Sequence, residues 1–405
     1  MVAPVADLDL PVLDHTDPDL RGERFHAVLE DMARRSWLGR TDLGFVVLER
    51  EAVMALLRDR RLAFPAVQLL ELQGITEGAV YDRTAKGLMA RHGDDHSRLR
   101  RIVSPAFTPK ATDGLRPRLH ELLDELWSGI AADGRCDFVT AVATPLPSMV
   151  IADLLGLPGE ADRLAQWSAD LQAVFSMEPE DRARVETAYL DVYRYVEGML
   201  AERRASPGSD LISTFALLEQ EGDRLTDDEC VTLVCSVIAG GTDTTAAQLA
   251  HAMRLFVEHP DQWELLGRNP DLAPAAAAEV LRFEPITPFT ARLALDDVEI
   301  NDVSFPPGSV LFACAATANR DAAVFADPDR FDITADRGTA QLLTFGFGSH
   351  FCLGANLARA EIAETLAFLA PRMRAPAFDG EPVFGTPTGI YPMESLPIRF
   401  EPAPA

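Results

Sequence analysis

The chain has 405 residues, a formal net charge of −26, 47% hydrophobic residues and 25% charged residues. This composition is typical of a globular protein with a substantial core, and the acidic charge excludes nucleic acid and anionic membrane surfaces as partners. We find no apolar run approaching the roughly 20 residues that span a bilayer and no signal-peptide pattern, so we expect a cytoplasmic protein.

The cysteines and the absence of linkers restrict how the chain can be organised. Five cysteines occur, at positions 136, 230, 235, 314 and 352, with no Cys-x-x-Cys pair. This pattern excludes a disulfide framework and the usual zinc or iron–sulfur spacings. No Gly/Ser linker, low-complexity tract or internal repeat divides the sequence. We therefore predict an irregular lead-in over residues 1–22 and one domain over residues 23–405.

Helical periodicity dominates the chain, and strand-like patterns are short. A weakly periodic stretch over residues 64–90 indicates a loop or short helices that cover a pocket. The predicted helices cover residues 24–35, a stretch from 95 onward, 114–131, 142–157, 160–177, 181–204, 226–258 and 353–371, and the predicted strands cover 44–48, 289–295, 298–300 and 310–315. The expected fold class is therefore mainly α with small β-sheets (α+β).

His96 and Arg100 lie four residues apart in a predicted helix and hence on one face of it. Such a pair can hold an anion. Arg98 and Arg101 are close neighbours, so a solvated basic face explains the same pattern. The residues alone leave both interpretations open.

The predicted helix over residues 226–258 carries an unusual interior. Gly240 and Gly241 each cost about 1 kcal/mol relative to alanine inside a helix. Thr244 can return its hydroxyl to the carbonyl of Gly240, which opens a notch, and the missing side chains leave room for a small ligand. Asp243, beside this alcohol, can relay protons into a buried site. Close helix crossing with a polar stripe is the alternative.

Residues 345–354, Phe-Gly-Phe-Gly-Ser-His-Phe-Cys-Leu-Gly, form a glycine-rich loop at the start of the last predicted helix. Free N–H groups and the helix dipole there are expected to lower the pKa of Cys352 and to favour a metal-binding thiolate. Gly346 and Gly348 permit backbone angles that other residues resist, and Gly354 leaves room for a flat cofactor. A buried free cysteine is the alternative by residue type. The fixed spacing of aromatic residues, glycines and a histidine favours the metal ligand.

The pattern Phe345-x-x-Gly348-x-x-x-Cys352-x-Gly354 resembles the haem-binding signature of the cytochrome P450 family, and the resemblance extends from about residue 40 to the C-terminus. It implies a single-domain P450 fold, haem b (iron protoporphyrin IX) as the cofactor, and Cys352 as the axial thiolate ligand of the iron. The resemblance also places Phe345, Gly354 and Gly240 next to the haem.

Further roles follow from the resemblance. The family's His-x-x-x-Arg pair corresponds to His96 and Arg100 and contacts the haem propionates, and Arg292 and His350 match further propionate contacts. An unpaired arginine in the apolar stretch around Arg292 would otherwise be expensive. The family's Ala/Gly-Gly-x-Asp/Glu-Thr motif matches the helix notch. This match gives the catalytic roles in oxygen activation to Asp243 and Thr244.

Glu279 and Arg282 are spaced i, i+3 and resemble the family's Glu-x-x-Arg motif, which forms a buried structural ion pair. A second arginine from residues 324–340 is expected to complete it. Arg330 is the first candidate and Arg337 the second. These residues are structural and not catalytic.

The substrate pocket is expected to be mainly apolar. By resemblance, the third and fourth of the amphipathic helices after residue 114 cover it, which makes Trp167, Leu171, Val174, Phe175 and Met177 candidates, although core packing explains each equally well. The predicted pocket residues are Val237, Ile238, Ile286, Phe289, Thr290, Ile390 and Tyr391.

The resemblance implies a monomeric haem-thiolate monooxygenase that inserts one oxygen atom from O2 into a C–H bond of a largely hydrophobic small molecule. Electrons are expected from a ferredoxin and a ferredoxin reductase. One alternative is a peroxide-driven peroxygenase or isomerase on the same fold. Another is a haem-binding sensor or carrier without turnover.

Overall fold

The computed structural model describes residues 2–220 and 223–403. Met1 and residues 404–405, the ends of the predicted lead-in and domain, lie outside the described residues. Helices form most of the described chain and short strands form small sheets, which confirms the predicted fold class. The helices are α1 Gly22–Arg35, α2 Arg50–Arg58, α3 Ala66–Leu72, α4 Ala79–Thr84, α5 Gly93–Val103, α6 Pro109–Asp113, α7 Arg116–Ile130, α8 Pro145–Leu155, α9 Ala161–Gln172, α10 Arg182–Ala205, α11 Leu211–Leu217, α12 Asp227–Gly241, α13 Asp243–Glu258, α14 Pro260–Arg268, α15 Ala273–Phe283, α16 Ala315–Ala318 and α17 Ala355–Leu369.

The strands lie mainly near the two ends of the chain. They are β1 Ala3–Pro4, β2 Leu38–Thr41, β3 Gly44–Val47, β4 Leu62–Ala63, β5 Arg135–Asp137, β6 Glu219–Gln220, β7 Asp223–Arg224, β8 Phe289–Ala294, β9 Val298–Ile300, β10 Val303–Phe305, β11 Val310–Cys314, β12 Met373–Phe378, β13 Val383–Phe384, β14 Met393–Ser395 and β15 Pro397–Pro402. A five-stranded sheet has the order β2-β3-β11-β8-β4. In it Arg292 of β8 pairs with Leu311 of β11, so the sheet fixes the backbone of a predicted site residue.

The predicted helix over residues 226–258 is interrupted. Thr226 accepts a hydrogen bond from the N–H of Glu229, and the Glu229 carboxylate accepts one from the N–H of Thr226, a capping box that starts α12. Helix α12 ends at Gly241, and α13 begins at Asp243 after Thr242, which has φ −95° and ψ −73°. The glycine pair therefore precedes a break and does not lie in a continuous helix.

Residues Asp227–Glu258 are, by length and composition alone, long and apolar enough to span a bilayer. Gly, Thr and Asp residues interrupt its apolar side chains, so the stretch contains no continuous apolar run. Within the fold, 56% of its most apolar window is buried, and α13 packs against α8, α14, α15 and α17. A central core helix of a globular protein has these properties.

The packing of α17 positions the predicted cysteine loop. Leu357, Ile362, Leu366 and Leu369 of α17 are buried in the main core, and α17 packs against α15, α7 and α13. Residues 345–354 lead directly into this helix. A rigid buried helix therefore fixes the loop beside the break between α12 and α13.

Candidate functional site

A cavity of about 550 Å³ lies among α5, α12, α13, α17, β8 and the loop at 345–354. Most of the site residues predicted from the sequence line it, although they are distant in the chain. The predicted residues that line the cavity are His96, Arg100, Val237, Gly240, Thr244, Ile286, Phe289, Thr290, Arg292, Phe345, His350, Cys352, Gly354 and Ile390.

The loop that carries Cys352 is closed by backbone hydrogen bonds. The N–H of Cys352 donates to the carbonyl of Phe345 at 2.9 Å. Gly346 and Gly348 have φ +71° and +74°, the left-handed conformation predicted for them, and a Cβ at position 348 would lie 2.7 Å from the carbonyl oxygen of Leu57. The loop therefore needs glycine at these positions to hold the thiol towards the cavity.

Cys352 is accessible because it faces the cavity. Burial raises the pKa of its thiol in the protein alone, while the N–H groups of Gly354 and Ala355 and the charges of Arg100 and Arg359 act to lower it. The predicted helix-terminal N–H groups are thus present. The expectation that they lower the pKa overall is wrong for the protein without a metal, because desolvation outweighs them.

Four basic side chains gather in one part of the cavity. The rings of His96 and His350 have centroids 4.1 Å apart. Burial and the nearby charges of Arg100 and Arg292 lower the pKa of His96 to about 4. Burial, followed by the neighbouring His96, Arg292 and Arg100, lowers the pKa of His350 to about 3. Burial alone lowers the pKa of Arg292 to about 10. The cluster therefore repels additional positive charge.

Negative charge is missing beside this cluster. Arg292 is 2% exposed, and its guanidinium donates to the backbone carbonyl of Ala291 at 2.9 Å. Within the described chain, neither Arg292 nor Arg100 forms an ion pair with a carboxylate, and the buried Nε2 of His96 has no hydrogen-bond partner. Buried cations and orphaned donors of this kind require an anion. They fit the two carboxylates of the haem that the resemblance implies, and the cavity-facing thiol of Cys352 fits its iron.

The notch predicted between Gly240 and Thr244 is present. The Thr244 hydroxyl donates a short hydrogen bond to the carbonyl of Gly240. A Cβ at Gly240 would meet no atom within 4 Å, which leaves open space on the cavity side. Gly241 differs from the prediction, because a Cβ there would lie 2.5 Å from Ile151 of α8. Gly240 therefore leaves room for a ligand, whereas Gly241 permits close helix packing.

Asp243 does not line the cavity but faces α9. Burial raises the pKa of its carboxylate to about 6, against the lowering effects of the nearby Ser168 side chain and the charge of Arg184. Asp170 of α9 forms an ion pair with Arg184 at 2.6 Å. Asp243 is therefore close to the Asp170–Arg184 ion pair on one side and adjacent in sequence to Thr244 of the notch on the other. Its pKa of about 6 is close to neutrality.

Two predicted pocket residues face the core and not the cavity. Ile238 is 1% exposed and belongs to the main core, because its side chain points about 100° around the helix from that of Val237. Tyr391 is also 1% exposed, and its hydroxyl accepts a hydrogen bond from the N–H of Gly22. Its neighbour Ile390, at the end of the bend before Tyr391, lines the cavity instead.

Residues of α9 and the 3-10 turn Ala173–Ser176 cover one side of the cavity. Four of the five residues proposed there, Leu171, Val174, Phe175 and Met177, line it. Trp167 does not, since its ring packs edge-on against Tyr195 with centroids 5.1 Å apart.

Arg337, and not Arg330, completes the buried ion-pair network. Arg282 donates to both carboxylate oxygens of Glu279 at 2.8 Å, and Arg337 donates to the same oxygens at 3.0 and 2.5 Å. The Arg330 side chain instead pairs with Asp332 near the surface, and only its backbone carbonyl accepts from both arginines. The segment is irregular, so the sequence offered no periodicity from which to tell which arginine turns inward.

Glu361 of α17 is a cavity residue that the sequence analysis missed. It is 1% exposed, lines the cavity, and has no hydrogen-bond partner at either carboxylate oxygen within the described chain. Burial raises its pKa to about 8, so the carboxyl group is mostly neutral at pH 7. The sequence did contain a signal for its burial. Glu361 lies one turn after the apolar Leu357, on the same face of a mostly apolar helix.

The substitution Glu361→Gln is expected to stabilise the protein increasingly as pH rises. The pKa of Glu361 is raised from 4.5 to about 8, so ionisation opposes folding above pH 4.5 and the full penalty is reached near pH 8. The advantage of the glutamine variant should therefore be about 1 kcal/mol or less at pH 5 and about 3 kcal/mol at pH 7. Urea unfolding of both proteins at pH 5, 7 and 8 measures it.

Glu364→Gln is the matched control on the same helix, because Glu364 is paired with Arg116 and with His120. This variant should be no more stable than the wild type at any of these pH values. A Glu361→Gln advantage that does not grow between pH 5 and pH 8 would contradict the assignment of a buried neutral acid.

The chain shows clear similarity to known proteins. Residues 271–369 match the family model described as Cytochrome P450. The chain is 38% identical to luteothin monooxygenase from Streptomyces thioluteus, over 97% of this chain and 96% of that protein. It is 32% identical to steroid C26-monooxygenase from Mycobacterium tuberculosis, over 96% of this chain and 98% of that protein.

A solved structure has the same fold. The structure of cytochrome P450 CYP109Q5 from Chondromyces apiculatus superposes with a TM-score of 0.87 and 30% identity, covering 97% of this chain and 99% of that one. The similarity therefore includes the whole arrangement of helices and sheets around the cavity.

Proposed function

Since the chain belongs to the cytochrome P450 monooxygenase family, we propose that it inserts one atom of dioxygen into a C–H bond of a largely hydrophobic small molecule. The observation that carries this proposal is one cavity that joins the Cys352 thiol, the Gly240–Thr244 notch and a cluster of buried basic side chains. A haem-binding protein without turnover would not need the notch beside the thiol.

The haem-thiolate cofactor of the family is, in this chain, haem b held by identifiable residues. Cys352 would supply the thiolate to the iron, and the N–H groups of Gly354 and Ala355 would stabilise its negative charge. Arg100 and Arg292 would pair with the two propionates of the haem, and the unpartnered Nε2 of His96 would find a hydrogen-bond partner there. When bound, the cofactor supplies the iron that activates dioxygen, and thiolate donation favours O–O cleavage.

The residues of the notch hold and move protons. Thr244 keeps its hydroxyl on the Gly240 carbonyl, so its oxygen is free to accept a hydrogen bond on the cavity side. Asp243, with a pKa of about 6, can bind a proton from the side of α9 and release it towards Thr244 near neutral pH. Glu361 holds a further proton inside the cavity.

The substrate is a largely hydrophobic, neutral molecule. Val237, Ile286, Phe289 and Ile390 present apolar side chains to the cavity, and Thr290 adds one hydroxyl. The relatives named above carry the names of luteothin and of a steroid as substrates. An apolar cavity of this kind suits hydrophobic molecules of several classes, so steroids, terpenoids, polyketides and fatty acids form the substrate panel.

Electrons come from a separate ferredoxin and its reductase. Cys136, Cys230, Cys235 and Cys314 are free, and burial raises the pKa of Cys136 and of Cys230 to about 12. Across residues 2–220 and 223–403, no group of three or more His, Cys, Asp or Glu side chains could hold a metal ion. These free cysteines do not form a cluster that could hold an iron–sulfur centre. An external electron donor in the cytoplasm is consistent with this arrangement.

Reconstitution with a ferredoxin, its reductase and NADPH tests the proposed function. Each member of the substrate panel is supplied in turn, and NADPH consumption and oxidised product are quantified together. The proposal predicts product in step with NADPH for at least one member. Product that forms only with hydrogen peroxide would indicate a peroxygenase, and binding without product under either condition would indicate a carrier.

A further inference from the structure

The carbonyl of Ala239 is bound by the helix that covers the cavity. In an unbroken helix this carbonyl would accept from the N–H of Asp243, four residues later. Asp243 instead starts α13 after the break. The Ala239 carbonyl accepts from the Nε2 of Gln172 at 2.8 Å and from the hydroxyl of Ser168 at 3.3 Å. Two side chains of α9 therefore replace the helical bond at the break.

The next carbonyl along the chain belongs to the notch. The carbonyl of Gly240 accepts a hydrogen bond from the hydroxyl of Thr244, while the carbonyl of Ala239 accepts one from the side-chain amide of Gln172. These two carbonyls belong to adjacent rigid peptide planes, 239–240 and 240–241, which share the Cα of Gly240. A reorientation of the 239–240 peptide moves this shared Cα and therefore alters the position of the Gly240 carbonyl and of the Thr244 hydroxyl bound to it, as well as the bond to α9.

The end of α9 and the turn that follows it, residues 172–177, lie against the cavity and would contact a bound molecule. Gln172, Val174 and Phe175 all line the cavity. Phe175 packs so tightly on Gly389 that a Cβ there would lie 2.6 Å from the Phe175 side chain. The buried amide of Gln73 holds the turn by donating to the Ala173 carbonyl at 2.9 Å. The covering segment therefore has contacts with the cavity, with Gly389 and with the helix break.

We propose that Gln172 is a positioning residue that couples the packing of the covering segment 172–177 to the conformation of the Gly240–Thr244 notch. A molecule that displaces Phe175 alters the Gln172 bond to Ala239 and hence the placement of the Thr244 hydroxyl. The importance of this coupling for catalysis rests on the function proposed above, whereas the coupling itself is a property of the protein and is measurable without turnover.

A double-mutant cycle measured by hydrogen exchange tests the coupling. Gly389→Ala displaces Phe175, and Gln172→Met removes the donor while it keeps a side chain of similar length. Amide exchange of residues 240–247 is followed by mass spectrometry in the haem-loaded protein. Loss of one hydrogen bond should accelerate this exchange about fivefold in Gln172→Met. Gly389→Ala alone should also accelerate it, but it should add nothing in the Gln172→Met background.

Gln166→Met is the matched control, because Gln166 is exposed on the same helix and its amide contacts only Asp170 among the described residues. Its effect and that of Gly389→Ala should be additive. Additive effects of Gly389→Ala and Gln172→Met, or unchanged exchange at 240–247 in Gly389→Ala, would overturn the proposal. If Gln172→Met does not bind haem, Ser168→Ala replaces it in the cycle with the same expected sign.

Discussion

Replacement of Glu279 by glutamine is expected to destabilise the protein by about 3–5 kcal/mol, because it leaves the buried guanidinium of Arg282 and the partly buried one of Arg337 without their carboxylate. Glu279 is 3% exposed, and Arg282 is fully buried. Burial raises the pKa of Glu279, but hydrogen bonds from Arg282 and Arg337 outweigh burial and lower it below its ordinary value. The network therefore stabilises the fold at neutral pH and weakens as acid protonates the carboxylate. Urea unfolding of the haem-loaded protein measures the loss.

Two comparisons make this prediction specific. Glu264→Gln removes an exposed i, i+4 partner of Arg268 and should change stability by about 0.5 kcal/mol or less. Arg337→Ala should be strongly destabilising, whereas Arg330→Ala should be nearly neutral, because only the backbone of Arg330 joins the network. Equal effects of the two arginine substitutions would show that the network is assigned incorrectly.

Replacement of Asp243 by asparagine is expected to lower the rate of product formation by about 100-fold or more, since a positioned acid or base contributes about 10²–10⁴-fold to a rate. Burial sets the pKa of Asp243 to about 6, so its protonated fraction falls as pH rises through 6. Wild-type turnover should decline with pH above this value, and the decline should be absent from Asp243→Asn. Product formation and NADPH oxidation measured from about pH 5.5 to 8.5, that is from about 0.5 pH unit below the titration to about 2.5 pH units above it, test both statements.

Asp170→Asn is the matched control for Asp243. Asp170 is on the facing helix, pairs with Arg184 and acts on Asp243 only through its charge, a smaller cause of the raised pKa than burial; among the described residues it forms no hydrogen bond with the Gly240–Thr244 notch. Its replacement should leave the rate within about tenfold of the wild type. An Asp243→Asn variant with wild-type rate and pH profile would mean that protons reach the cavity by another route, for which Glu361 is the nearest candidate.

Local motifs made the central part of the site predictable. The glycine spacing before Cys352 requires left-handed backbone angles, and the structure has them at Gly346 and Gly348. The four-residue spacing of Thr244 and Gly240 allows the hydroxyl bond that is observed. Each of these features is decided by neighbours in sequence, so pattern and geometry agree.

Features that depend on tertiary packing were not predictable from the sequence. Arg330 and Arg337 lie in the same irregular segment, and only the folded chain shows which one turns towards Glu279. Ile238 was placed in the pocket although helix geometry turns it away from Val237. Gln172 was not singled out, because its partner is a carbonyl that is released only by the break after Gly241.

The lining of the cavity shows the same division. Glu361 resembles a surface acid in sequence, since Glu364 three residues later is paired near the surface. Its burial depends on how α17 packs against α13. The pKa of Cys352 is also decided by this surrounding protein, because desolvation opposes the helix-terminal N–H groups that the sequence predicts.

The reduced carbon-monoxide difference spectrum tests the central claim, that Cys352 is the thiolate ligand of a haem, most directly. Purified wild-type protein should give a Soret band at about 450 nm, and Cys352→Ala should lose it, because only thiolate ligation produces that band. Cys314→Ala, which removes a buried cysteine outside the cavity lining, should keep it. A band at about 420 nm in undenatured wild type, or no Soret band after haem loading, would contradict the assignment.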